Sequence, residues 1–409
     1  MAPMRARAPW LLFVALCLVL LGAGSGLADD REGGGGTVKL LKVIPATACP
    51  TCAADKVVIF DISWIDAATQ RYYLADRTNK AVDVVDTRSN TYLKQIQKGL
   101  FKGFTGNNNT SGPNGVVVSG HWLFVTDAPS TVWSIDLRND SVVDHVQTDL
   151  ASQNRTDEVA YDPDDGVIFA INNADAPPFG TLIRVNKQTG KFILPTTRVT
   201  FPFATNGAEQ PIWNPRTRMF YISIPEVNGP GDGTGPNGAV AVVRLDGHVQ
   251  TLLPVDHCQP AGLTLGPDTD MLLGCSETFD RDGNHWDPAH PTPNPTPKQV
   301  IMNFRSGATT NVFGVGGSDE VWFNTGDGRY YTASRNNPVS PALGVIDADK
   351  RTLIQVVPTV SPPSGSAHSV AVDPSNNHAV VPLPANDRID DCANGCFGIY
   401  GVPPEDDRD

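Results

Sequence analysis

Asp61, Asp157, Glu158, Glu209, Asp319 and Glu320 each stand at the opening of a short apolar segment, and His368 opens another of the same kind. If the fold gathers these openings, six carboxylates and an imidazole converge. Crowded carboxyls hold their protons more tightly or recruit a cation, and oxygen-rich rings suit hard divalent ions. Ca²⁺ or Mg²⁺ is therefore the expected cofactor, with these six acids as ligands. The alternative is that the acids are solvated or bonded to backbone N–H groups. His368 and His257 are candidate general bases, since imidazole titrates near neutrality. A second set, Arg77, Arg335 and Arg388, falls in equivalent loops, and Gln259 lies just upstream of the fifth segment. Clustered guanidinium groups grip carboxylate, sulfate or phosphate, so these four are expected to bind ligand; the alternative is pairing with Asp76, Asp387 and Asp390.

No G-x-S-x-G, H-E-x-x-H or phosphate-binding glycine loop accompanies these residues. The run DRDGNHWD, with His285 and His290 nearby, has the acids of a calcium loop, but Gly283 comes too early for an EF-hand and the terminal Glu is missing.

The elements that must position these residues recur. Residues 60–65, 72–75, 81–86 and 91–96 alternate apolar and β-branched residues between Asp-, Asn- and Gly-bearing turns, the pattern of four antiparallel strands. Comparable first strands begin at Asn114, Asp157, Glu209, Ala261, Asp319 and His368, with starts 43 to 58 residues apart. Seven such units predict an all-β, seven-bladed β-propeller of four-stranded blades. The last unit supplies only three strands, ending at residues 397–402. The missing outer strand is expected from residues 37–45, TVKLLKVIP, so that the N-terminus closes the ring. Two long insertions, residues 226–238 and 277–297, fall between second and third strands of units four and five, on the face where propellers usually bind.

YYLADRTNKAVDVVDTRSN and SVAVDPSNNHAVVPL resemble the YVTN-type, YncE-like propeller repeat, from about residue 37 to 402. That resemblance implies a binding or surface protein, while lactonases and lyases occur on related propellers. The leading expectation is a YncE-like binding or scaffold protein, acting as a monomer on a small-molecule or protein ligand at the channel mouth. The competing one is a metal-assisted hydrolase or lyase of small anionic or sugar-acid substrates. Nucleic-acid binders exist in the family, but a formal net charge of −13 opposes a phosphate backbone as partner.

Residues 1–28 read as a cleaved signal peptide, with Arg5 and Arg7 before a short apolar run and small residues ahead of Asp29. Residues 29–36 read as a flexible lead-in, 37–403 as the propeller and 404–409 as an acidic tail. No other stretch approaches membrane length, so a secreted or periplasmic location follows. Six cysteines remain after cleavage, an even number expected to form disulfides. Cys258 and Cys275 face each other across a predicted hairpin. Cys49, Cys52, Cys392 and Cys396 form either two local bridges or two cross-links over the ring seam. The C-x-x-C of Cys49 and Cys52 lacks the strand-then-helix context of a redox motif.

Overall fold

Strand-ending aspartates set the geometry of the repeat. In blade one the strands are Phe60–Asp66, Arg71–Asp76, Ala81–Asp86 and Thr91–Ile96. Asp66, Asp76 and Asp86 each accept a backbone N–H inside the following turn, from Ala68, Asn79 and Ser89 at 3.2, 3.1 and 2.8 Å. Gln70, Lys80 and Asn90 then take positive φ of 52°, 55° and 51° and return the chain to the next strand. Each turn is fixed locally, so the register of the blade is fixed with it.

The computed structural model describes residues 36–52, 56–360 and 366–404. Within them seven antiparallel sheets of four strands are arranged as a ring, with two short 3-10 turns as the only helical segments. The first strands are Phe60–Asp66, Val116–Ser119, Val159–Asp162, Pro211–Asn214, Pro260–Leu265, Val321–Asn324 and Ala371–Asp373. Each packs on its neighbours, and the last returns to the first. Blade seven is completed by Lys39–Pro45, which pairs antiparallel with Cys396–Gly401. The expected seam is therefore present: the N-terminal strand covers an edge that would otherwise expose unpaired backbone.

Apolar side chains fill the wedges between blades. Tyr331, Leu343 and Val345 of blade six pack with Ala379, Val381 and Tyr400 of blade seven, and Phe169 and Leu182 of blade three with Phe220 and Ile222 of blade four. This burial between sheets, rather than any single blade, supplies the core. Three disulfides form, Cys49–Cys52, Cys258–Cys275 and Cys392–Cys396, so the pairing near the seam is local. The seam is joined instead by backbone bonds, Ala46 N–H to Gly395 O at 2.9 Å and Val57 N–H to Asn394 O at 2.8 Å.

The expected signal segment and all of the lead-in but Gly36 lie outside the described residues, as do residues 405–409 of the tail. Among the described residues no helix is long and apolar enough to cross a membrane.

Candidate functional site at the channel mouth

The loops that enter the first strands and those that leave the second strands open on one face of the ring. Between them lies a cavity of about 610 Å³. Asp61, Asp157, Glu158, Glu209, Asp319, Arg77, Arg335, Gln259 and His368 all line it, so nine residues read from separate stretches of sequence share one site. Blades two and five contribute no side chain at the equivalent position. A Cβ on Gly115 would stand 2.8 Å from the Asp157 carbonyl, and one on Gly262 would stand 2.2 Å from that of Asp319. Glycine there lets the neighbouring acid-bearing loop approach.

The acids and arginines, expected as separate sets, interleave. Arg77 is 3% exposed and pairs with Asp61, while its Nε donates to Asn114 Oδ1 at 3.0 Å. The pairing with Asp76 does not form, because Asp76 is occupied in its own turn. Arg155, which sequence reading overlooked, pairs with Asp157 at 2.6 Å and approaches Asp61 at 3.5 Å. Its position in the R-T-D-E run, two residues before the acid, is the available signal. Arg335 pairs with Asp319 at 3.1 Å at the more exposed rim. Arg388 is exposed and does not line the cavity. Its loop is folded around Asn386 and the Cys392–Cys396 bridge, which turn it away from the mouth.

His368 lies flat on Phe60, with ring centroids 5.3 Å apart. Its Nε2 faces Asp61 Oδ1 at 3.2 Å and its Nδ1 faces the Ser366 carbonyl at 3.0 Å. The Ser366 hydroxyl also stands 3.2 Å from Nδ1, so both ring nitrogens are engaged within the protein. His257 is exposed, does not line the cavity and packs beside Gly283 of the blade-five insertion. Gln259 is buried, and its Nε2 donates to Gly233 O at 2.8 Å and Gly235 O at 2.6 Å. It thereby pins the blade-four insertion as a wall of the cavity. Glu226 does the same from the other side, accepting from Gly231 N–H at 2.6 Å and Gly235 N–H at 2.9 Å.

Charge state follows from pairing. Burial alone would raise the Asp61 carboxyl, but Arg77, the hydrogen bond from His368 and Arg155 outweigh it and hold it well below the usual range. Glu209 is pushed up to about 7, by burial first and then by Asp319. Burial also drives Glu158 well above the ordinary carboxyl range, with Asp157 and Glu209 adding to it. Glu320 does not line the cavity but sits deeper, accepting from Ser369, from Ser63 Oγ at 3.4 Å and from Val370 N–H at 3.0 Å. Burial raises it to about 8, and its Oε1 has no hydrogen-bond partner. Further along the same strands Trp64 and Trp322 meet edge to face at 5.3 Å.

No three His, Cys, Asp or Glu side chains among the described residues are grouped to hold a metal ion. Three of the six acids expected to ligate Ca²⁺ or Mg²⁺, Asp61, Asp157 and Asp319, are paired with guanidinium groups. In the blade-five insertion, His285 pairs with Glu277 and His290 with Asp287, each at 2.9 Å, while Asp280 closes a turn onto Asn284.

Among solved structures, the chain is similar to hydrazine synthase of Kuenenia stuttgartiensis, with a TM-score of 0.62, 12% identity, and 86% of this chain and 98% of that chain covered. At that identity the likeness is one of fold. The seven-bladed propeller stands on both. No protein-family model matches the sequence, and no curated protein matches it.

Proposed function

We propose that the chain is an exported, YncE-like binding protein that takes a small polar ligand in the channel-mouth cavity. The observation that carries this reading is the cavity itself: about 610 Å³, lined by charged side chains and walled by the blade-four insertion, which Gln259 pins to its rim. Pre-formed concave sites with fixed polar groups are the usual form of a small-molecule site. Three closed disulfides suit an oxidising compartment, and the YVTN-like runs suit a family of binding propellers. The hydrolase or lyase reading stands second, because both ring nitrogens of His368 are engaged within the protein and His257 lies outside the cavity.

Filling the cavity tests the reading. Asn206 lines it, and Asn206→Trp would occupy it. A panel of small amines, sugars, amino acids and dicarboxylates is screened by thermal shift. A ligand that binds only the native state raises Tm by mass action, by an amount set by its concentration over Kd. At least one compound should stabilise the wild-type protein and leave the variant unmoved. A panel that stabilises neither protein, or both equally, sinks the proposal.

A further inference from the structure

The cavity's six cationic and anionic partners cancel pairwise: Arg77 with Asp61, Arg155 with Asp157, and Arg335 with Asp319. Glu158 and Glu209 are left over. Glu158 is 5% exposed and lines the cavity, and its carboxyl has no hydrogen-bond or ion-pair partner among the described residues. Glu209 leads into the neighbouring blade, lines the same wall and makes no ion pair. A buried carboxyl with no partner is unfavourable when ionised, and it becomes favourable once a positive charge stands beside it. Both side chains are open toward the cavity, so the missing charge is one that a ligand can bring.

We infer that the ligand is a small organic cation, a primary or secondary ammonium, whose nitrogen is held between Glu158 and Glu209. This rests on the cavity being a ligand site. An ammonium donates two or three hydrogen bonds and fits two carboxylate acceptors from adjacent blades. A bare divalent ion fits less well, since it calls for six or more oxygens at close range and no such grouping is formed among the described residues. The cavity volume, about 610 Å³, is that of a small molecule rather than an ion. Past the two carboxyls, Asn173, Asn206 and Arg335 offer hydrogen bonds to the remainder of the ligand.

The proposal implies a pH dependence. Glu209 faces Asp319, Asp61 and Arg155 and the amide of Asn173, and burial with Asp319 pushes its carboxyl up to about 7. Glu158 faces Asp157, Glu209, Asp319 and Glu320. Below pH 7 an incoming cation must displace a proton from Glu209, so binding tightens as pH rises from 6 to 8 and protons are released on binding. The linkage limit is about tenfold in Kd per pH unit for one obligatory proton.

Isothermal titration calorimetry with four probes of matched length tests this: 1,4-diaminobutane, 4-amino-1-butanol, 1,4-butanediol and succinate, with CaCl₂ as a fifth titrant. The two amines should bind, the diol and succinate at least tenfold more weakly, and Ca²⁺ should neither bind nor compete. Glu158→Gln and Glu209→Gln, which mimic the protonated carboxyls, should each weaken amine binding at least tenfold and flatten the pH profile. Diol binding as tight as the amines overturns the ammonium assignment and leaves the cavity a binding site. Competition by Ca²⁺ overturns it in favour of a metal ion. Amines failing to bind while another compound class shifts Tm overturns this inference alone; no binding by anything overturns both readings. If either variant fails to fold, the wild-type probe ranking and pH profile still decide.

Discussion

The three aspartates and the three glutamates of the mouth occupy the same ring of loops and meet opposite fates. Asp61, Asp157 and Asp319 each hold a guanidinium. Glu158, Glu209 and Glu320 hold none, and all three have carboxyls raised by burial. The aspartates behave as structure. Two of their ion pairs, Arg77–Asp61 and Arg335–Asp319, brace the opening of a blade's first strand against the loop after its second strand, while Arg155 holds Asp157 beside it and reaches across to Asp61. The glutamates lack a counter-charge, and burial raises each carboxyl above its ordinary range. Net charge alone would describe the mouth as acidic, whereas pairing divides it into a neutral scaffold and a small group of carboxyls without a counter-charge.

Removing a guanidinium should break the scaffold half with the largest effect. Arg77→Ala takes the nearest counter-charge from the buried Asp61 carboxylate, leaving it His368 and the more distant Arg155, and loss of one partner of a buried pair costs about 3–5 kcal/mol. Chemical denaturation should register that loss. A variant as stable as the wild type would mean that the pair is solvated and the division false.

The glutamate half should respond with the opposite sign. Glu320 has a folded pKa of about 8 against an ordinary value of 4.5. A carboxyl raised on folding contributes stability that is intact below the unfolded value and is lost as pH rises through the folded one. Wild-type stability should therefore fall between pH 5 and 9. Glu320→Gln should flatten that fall and exceed the wild type at pH 9, by up to about 5 kcal/mol. Equal slopes for the two proteins would show that Glu320 ionises freely and belongs with the aspartates.

The rim pair sharpens the boundary with the smallest effect. Arg335 is partly exposed, so Arg335→Ala should cost less than about 1 kcal/mol and lose that difference in 0.5 M salt. A cost as large as that of Arg77→Ala would place the rim inside the buried scaffold.

Blade number, strand order and ring closure were all readable before any coordinates, because each turn is written locally. Asp66, Asp76 and Asp86 close their turns with a neighbour two or three residues away, and the alternation between them allows one register. The orphan run at residues 37–45 could be assigned to the seam because a propeller lacking its last outer strand leaves an edge. The convergence of the acid column followed from the same periodicity. The partners within that column did not. Arg77 stands beside Asp76 in sequence and pairs with Asp61, sixteen residues earlier, because the turn had already claimed Asp76. The R-T-D-E run marks Arg155 as a neighbour of Asp157, but nothing local shows that it also reaches Asp61 of another blade. His257 was grouped with the mouth by its place upstream of a first strand, yet its loop turns it outward. Local sequence fixes turns and strands, whose hydrogen bonds close within a few residues. Which charges meet is decided by how seven blades bring their loops around one axis, and only the tertiary structure determines those distances.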